Sequence, residues 1–238
     1  MHNFFAGRAI PMSDKQAVTP IPVIAIDGPS ASGKGTVAAL AAQALGFHYL
    51  DSGAIYRVTA YAAQAADVAL DDEPGLATLA RDLDLRFDGS EVFLSGLAVG
   101  DSIRGEAAGR AASRIAALPA LRQALLERQR AFRRAPGLVS DGRDMGSVVF
   151  PDAGLKVFLT ASAEERAQRR YKQLIEKGFD ANLAAILQDL KERDARDAAR
   201  SAAPLQQTPD AHLLDTNCLN IQQAVQQVLN WWRVVDRG

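Results

Sequence analysis

Short apolar runs closed by turn residues recur along this chain at residues 23–26, 48–50, 138–140, 156–159 and 212–214, with helix-period stretches between most of them. Runs this short are of strand length, and their alternation with helices predicts a parallel sheet covered by helices. The first three runs end at once in an aspartate and a small residue, as Asp27-Gly28, Asp51-Ser52-Gly53 and Asp141-Gly142. Ligands of open α/β sheets sit at the carboxyl ends of the strands, so these three corners are expected to face one cleft. Residues 36–45, rich in alanine and leucine, read as the helix that leaves the first corner.

The alternation is interrupted between residues 67 and 104. Residues 83–87 and 91–94 flank Asp88-Gly89-Ser90 as hairpin strands would, and residues 97–99 offer a third strand. The segment reads as an inserted antiparallel subdomain, with a plain surface excursion as the alternative. Further on, Ser162 with Glu165 three residues later forms a capping-box signature and predicts a helix from Ala163 to a stop at Gly178. Arg166, Arg169 and Arg170 share one face of it, as a binding stripe or a solvated surface. A second helix, residues 183–201, carries Leu183, Ile186 and Leu190 on a face that continues as Arg193, Asp197 and Arg200. Charges placed where a core face runs on are expensive unless they meet partners or a charged ligand, which favours binding over a surface i, i+4 pair. The last helix follows Asn220, with Gln223 at the matching box position. Its stripe of Ile221, Val225, Val228, Trp232 and Val235 makes Trp232 a core plug rather than a base-stacking platform.

At 238 residues the chain suits one domain with insertions. A net charge of -1 gives no general attraction to nucleic acid polymers or membranes, while the arginines crowded within residues 122–134 and 166–170 suit a small polyanion. Cys218 is the single cysteine, which excludes an intramolecular disulfide and a cysteine zinc cage and fits a reducing cytoplasm. His2, His48 and His212 lack ligand spacing, and the latter two read as strand openers. No apolar run reaches the roughly 20 residues of a membrane span, and no secretory signal opens the chain, so a soluble cytoplasmic protein is expected. Residues 1–20, which hold a second methionine at Met12, read as a disordered, dispensable extension.

Chemistry enters at the first corner. Gly28, Pro29, Ser30, Ala31, Ser32, Gly33, Lys34, Gly35 and Thr36 join a strand to a helix. Such a loop cradles nucleotide phosphates: its amides converge on phosphate oxygens, the helix adds the positive end of its dipole, and Lys34 supplies a mobile charge. A glycine-rich turn without a ligand is the alternative. The usual hydroxyl directly after the lysine is replaced by Gly35 and arrives one place late at Thr36, which weakens the case for a hydroxyl ligand to magnesium. The second corner leads to Tyr56 and Arg57, and the third supplies Arg143 and Asp144 beside Asp141. Guanidinium forks suit phosphate and the acids suit ribose hydroxyls or an exocyclic amine, the inventory of a two-nucleotide site.

Four motifs in order resemble the bacterial cytidylate kinases, which are P-loop nucleoside monophosphate kinases: the loop at 28–36, Leu-Asp-Ser-Gly-Ala-Ile-Tyr-Arg at 50–57, Asp-Gly-Arg-Asp-Met-Gly-Ser-Val-Val-Phe-Pro at 141–151 and Lys-Glu-Arg-Asp-Ala-Arg-Asp at 191–197. The resemblance runs from Pro22 to the last helix. Adenylate kinases and eukaryotic UMP/CMP kinases typically carry Asp-Gly-Phe-Pro-Arg at the third motif and lack the hairpin insertion. What the resemblance implies is a P-loop NTPase α/β fold with a central parallel five-stranded sheet flanked by helices. A small antiparallel CMP-binding insertion spans 67–112 and a helical lid 162–180, with the core in 21–66, 113–161 and 181–238.

It further implies transfer of the γ-phosphoryl group of ATP to CMP or dCMP by a monomer, with Mg2+ travelling on the ATP. In that scheme Lys34, Arg143, Arg193 and Arg200 serve the transfer. Ser52, Tyr56 and Arg57 hold the acceptor nucleotide and its phosphate, with Arg143 and Arg200 near that phosphate and Asp141 also on the substrate side. Ser113, Arg122 and Asp144 match cytosine-recognising positions, and Arg193 and Asp197 those at ribose and phosphate. Arg166, Arg169 and Arg170 fall in the lid, aimed at the donor phosphates. A P-loop kinase for another small acceptor, such as UMP or shikimate, and a non-catalytic ATP-binding module remain as alternatives.

Overall fold

The computed structural model describes residues 20–88, 91–176 and 178–237. The expectations for residues 1–19, including His2 and Met12, and for the turn residues Gly89 and Ser90 lie outside the described residues. The strands are β1 (Val23–Asp27), β2 (His48–Asp51), β3 (Leu85–Asp88), β4 (Glu91–Leu94), β5 (Leu97–Ala98), β6 (Leu138–Gly142), β7 (Leu155–Thr160) and β8 (His212–Asp215). The helices are α1 (Lys34–Leu45), α2 (Ser52–Ala65), α3 (Glu73–Asp82), α4 (Glu106–Ile115), α5 (Pro119–Arg130), α6 (Ala163–Glu176), α7 (Leu183–Ala198) and α8 (Ile221–Val235), with one π-helical turn at Met145–Val149.

All five predicted apolar runs are strands of one parallel sheet, ordered β2-β6-β1-β7-β8. Its central strand β1 is buried throughout, and its side chains alternate between two cores. Val23 and Ala25 join Leu50, Ile55, Leu76, Ile115 and Leu121 on one face, while Ile24 and Ile26 join Val37, Val157, Val225 and Val228 on the other. Trp232 is buried in this second core, edge-on to Phe47 with ring centroids 5.7 Å apart, so it is a core plug. His48 and His212 are the first residues of β2 and β8.

The interrupting segment contains the antiparallel sheet β3-β4-β5, which seats Val92 and Val99 with Ile103 against Val58 of α2. It also contains α3, whose Leu76 and Ala80 belong to the main core. Pro74 and Gly75 disguise that helix in the sequence, yet proline is tolerated in a first turn and Asp72 caps the Gly75 amide at 3.0 Å.

Helix ends depart from expectation at α7 and α6. α7 stops at Ala198 rather than 201, so Arg200 lies beyond the helix and is held by an ion pair back to Asp197. At α6 the capping box is only half formed. Ser162 Oγ accepts from the Glu165 amide at 3.2 Å, but the Glu165 carboxylate pairs with Arg169 and the Ser162 amide donates to Asn217 at 2.9 Å. Neighbouring side chains compete for the box. The full reciprocal box forms at α8, where the two bonds between Asn220 and Gln223 are both 2.9 Å. Asn220→Ala is therefore expected to lower stability by about 1 kcal/mol, read as a shifted urea midpoint at unchanged slope. Among the described residues no helix is long and apolar enough to cross a membrane.

Parallel register brings the three corners together: Asp51 lies opposite Asp141, and Asp27 opposite Gly142.

Candidate active site

The loop leaves β1 through Gly28, where a Cβ would sit 2.0 Å from the Leu159 carbonyl oxygen of β7. Only glycine permits that approach. Ala31 (φ 57) and Gly33 (φ 92) are left-handed, the backbone habit that lets successive amides face one point. α1 starts at Lys34, two residues earlier than expected. Its N-cap Gly33 offers no side-chain cap and its first turn no acid, so the helix start is open to an anion. Lys34 is buried and its ammonium donates to the Pro29 carbonyl at 3.3 Å, a long bond for a group with three donors. Burial, and next Arg143, push its pKa well below the ordinary ammonium value, with Asp141 acting the other way. Burial and Asp51 push Asp141 up, and Tyr49 donates to its Oδ1 at 2.7 Å.

Facing the loop is a cleft of about 300 Å³. Ser30, Ala31, Gly33, Lys34, Gly35 and Thr36 line its loop side. Ser52, Tyr56, Arg57, Ser113, Arg122, Asp141, Arg143, Asp144, Arg193, Asp197 and Arg200 line the rest. At its centre Asp197, 1% exposed, accepts from Arg143 Nε at 2.7 Å and pairs with Arg200. Arg143 also donates to Ser30 Oγ at 2.8 Å, which ties this cluster to the loop. Burial, and next Arg143, push Arg193 down to about 10. The Nε atoms of Arg57, Arg193 and Arg200 and the Ser113 hydroxyl are buried with no hydrogen-bond partner in the protein. Buried polar groups are normally satisfied, and four of the seven unpartnered buried side-chain atoms among the described residues belong to residues of this one cleft, which makes it the candidate site for a polar ligand.

At the far end Arg122 pairs with Asp144, donates to the Ala116 carbonyl at 3.1 Å and lies 5.9 Å from the Tyr56 ring centroid. Asp51 caps α2 through the Ala54 amide and holds Arg57 at 2.6 Å, while Ser52 donates to the Asp141 carbonyl at 2.8 Å.

Other predicted residues sit elsewhere. Gly28, Pro29 and Ser32 build the back of the loop, with Ser32 Oγ donating to the Pro29 carbonyl at 2.9 Å. The α6 arginines do not stand over the cleft with open guanidinium groups, because acceptors on α7, α4, the glycine loop, the segment after β8 and α6 itself take them. Arg166, 4% exposed, bonds Asp194 of α7 at 2.6 Å and the Ser30 carbonyl at 3.0 Å. Arg169 bonds Glu165 and Thr216, and Arg170 pairs with Glu106 of α4. Arg170 and Arg193 line a second cavity of about 570 Å³ beside the first. Asp51, Tyr49 and Asp194 bond to Arg57, Asp141 and Arg166 respectively but are not among the predicted site residues. Asp51 was visible as a strand-end aspartate, and Asp194 adjoins Arg193 in its motif, whereas nothing in the sequence marked Tyr49.

Residues 24–233 match the family model described as cytidylate kinase. The chain is 63% identical over 212 residues to a cytidylate kinase of Chromobacterium violaceum, covering 89% of this chain and 96% of that one. It is 61% identical over 212 residues to a cytidylate kinase of Bordetella bronchiseptica, with 89% and 95% covered. A solved gluconokinase structure from Sinorhizobium meliloti aligns over 91% of this chain and 95% of its own, with TM-score 0.48 and 14% identity.

Proposed function

The chain belongs to the cytidylate kinase family, and we propose that its cleft joins the donor and acceptor nucleotides of that family's reaction. The reaction is transfer of the γ-phosphoryl group of ATP to CMP or dCMP, giving ADP and the nucleoside diphosphate. The observation that carries the site assignment is the set of unpartnered buried donor atoms, the Nε atoms of Arg57, Arg193 and Arg200 and the Ser113 hydroxyl, on residues that line one cleft with the phosphate loop.

Donor phosphates lie on the loop amides, the start of α1 and Lys34. The acceptor phosphate meets Arg57, Arg143, Arg193 and Arg200, while Asp197 receives a ribose hydroxyl. Asp144 accepts from the cytosine amine, with Arg122 and Ser113 donating to the base and Tyr56 and Ser52 shaping the wall. An acceptor phosphate oxygen is already anionic, so no general base is required. Catalysis reduces to bringing two polyanions into line and neutralising their charge.

Magnesium fits this site only as a partner of the nucleotide. Thr36, Asp51 and Asp141 offer oxygens on the cleft, yet the described residues hold no group of three metal-ligating side chains. The ion would be held by the nucleotide phosphates, with Thr36, Asp51 and Asp141 lining the same cleft, and would lower the charge on the transferring phosphates.

The ion pair of Arg170 with Glu106 links α6 to α4, which supports the reading of 162–180 as a lid and 67–112 as the acceptor insertion that close together. Closure with both nucleotides bound keeps water from acting as acceptor. A cytoplasmic monomer remains the expectation.

An ADP-release assay across CMP, dCMP, UMP and AMP tests this reading. The site's paired donors and acceptors predict kcat/KM for CMP at least tenfold above UMP and about 10⁴ above AMP. Preference for UMP or AMP would overturn the acceptor assignment. ATP hydrolysis without acceptor is expected to be slow, and a rate matching that of transfer would contradict the closing lid.

A further inference from the structure

A residue that precedes a helical turn ordinarily satisfies the first open amides with its own side chain. Asp144 holds that position before the turn Met145–Val149 and is of a suitable type, yet it makes no such bond. The open amides are taken from outside the turn. Met145 N–H donates to Asp27 Oδ1 and Gly146 N–H to Asp27 Oδ2, each at 2.8 Å. Asp27 ends β1, stands opposite Gly142 in the register of β6 and is 7% exposed. Its carboxylate is thus spent on two successive amides. The Asp144 carboxylate, relieved of that duty, pairs with Arg122 and lines the cleft.

We propose that Asp27 is a positioning residue for acceptor recognition: it caps the Met145–Val149 turn in place of Asp144 and so leaves the Asp144 carboxylate to read the acceptor base. The inference rests on the assignment of Asp144 to the cytosine amine. Without Asp27 the carboxylate nearest in sequence to the open amides is that of Asp144. Turning back onto them withdraws it from Arg122 and from the base. A merely structural Asp27 would affect stability and leave the choice of base alone.

Asp27→Asn separates the two roles. The amide keeps one acceptor and sets an NH2 group against the second backbone N–H. Burial pushes the Asp27 carboxyl up to about 7, so a neutral side chain there carries little desolvation cost and the variant is expected to fold. The ratio of kcat/KM for CMP over UMP is expected to fall about tenfold, through KM for CMP, with KM for ATP changed less than about twofold. On an Asp144→Asn background the same substitution is expected to move the ratio little, because both act through one carboxylate. Asp27→Ser, whose hydroxyl accepts from one amide, gives the same readout should the asparagine variant not fold.

A folded Asp27 variant with the wild-type ratio overturns the proposal, and so does a further tenfold fall of the ratio when Asp27→Asn is added to the Asp144→Asn background. Failure of the wild-type protein to prefer CMP overturns the functional reading instead, and is seen before any variant is made.

Discussion

Lys34→Ala is expected to lower kcat by about 10² to 10³ while the free protein stays folded. The two halves of that expectation have one cause. In the free protein the Lys34 ammonium is buried with a single long bond to the Pro29 carbonyl, and burial and then Arg143 drive its pKa down. A lysine whose pKa is lower folded than unfolded binds fewer protons in the folded state. It therefore makes stability rise with pH between its folded and unfolded values. Removing it removes that slope and a buried charge, so the thermal midpoint of the free variant is expected at or above that of the wild type.

Donor phosphates reverse the balance, because their charge favours the ammonium and occupies its unused donors. ATP is then expected to raise the midpoint of the wild type far more than that of the variant. Near-normal turnover in Lys34→Ala would refute the donor-loop assignment, and a midpoint several degrees lower without ligand would make Lys34 a structural residue.

Much of the fold was legible because strand length and helix period are local signals. The five apolar runs, the aspartate that ends each of the first three, and the stripe containing Trp232 all survive folding, since β1 is buried on both faces and α8 on one. The order β2-β6-β1-β7-β8 was not legible, because it depends on which strands pair after the chain crosses over. The cleft gathers acids and arginines read from three separate motifs beside the lysine of the loop, since parallel register sets Asp51 beside Asp141 and the α7 face continues its apolar side as Arg193 and Asp197.

What escaped the sequence are bonds between elements distant along the chain. Asp27 reaches 118 residues forward to the Met145 amide, and Arg166 reaches 136 back to the Ser30 carbonyl. Ser30 receives Arg143 on its hydroxyl and Arg166 on its carbonyl. One loop residue therefore joins the glycine loop to both the arginine cluster around Asp197 and α6. No periodicity encodes such a junction. It follows from the register of β1 with β6 and from the docking of α6 on α7.

Asp197→Ala removes the shared counter-charge of the acceptor cluster, and its effects should reach both stability and turnover. Arg143 and Arg200 lose their common acceptor, and Arg193 stands beside them with a buried, unpaired Nε. Taking one partner out of a buried ion pair costs about 3–5 kcal/mol, most of it from the charges left behind. Burial opposes ionisation of Asp197, but Arg143 and Arg200 outweigh it and hold the pKa below the ordinary carboxylate value. A carboxylate depressed in this way stabilises the fold above its unfolded pKa and loses that contribution as pH falls through its folded value. The stability gap between wild type and variant is therefore expected in full at neutral pH and to close in acid below about pH 4.

An anion can stand in for the missing carboxylate. Inorganic phosphate is expected to raise the thermal midpoint of Asp197→Ala by more than that of the wild type, because it enters a cluster that has lost the carboxylate bonded to both Arg143 and Arg200. Turnover is not rescued in the same way. Arg143 keeps Ser30 but loses the bond that fixes its fork, so kcat/KM for CMP is expected to fall about 10³-fold even with the fold restored. Equal stability of the two proteins at neutral pH, or an equal response to phosphate, would mean that the three guanidinium groups are balanced by something other than Asp197.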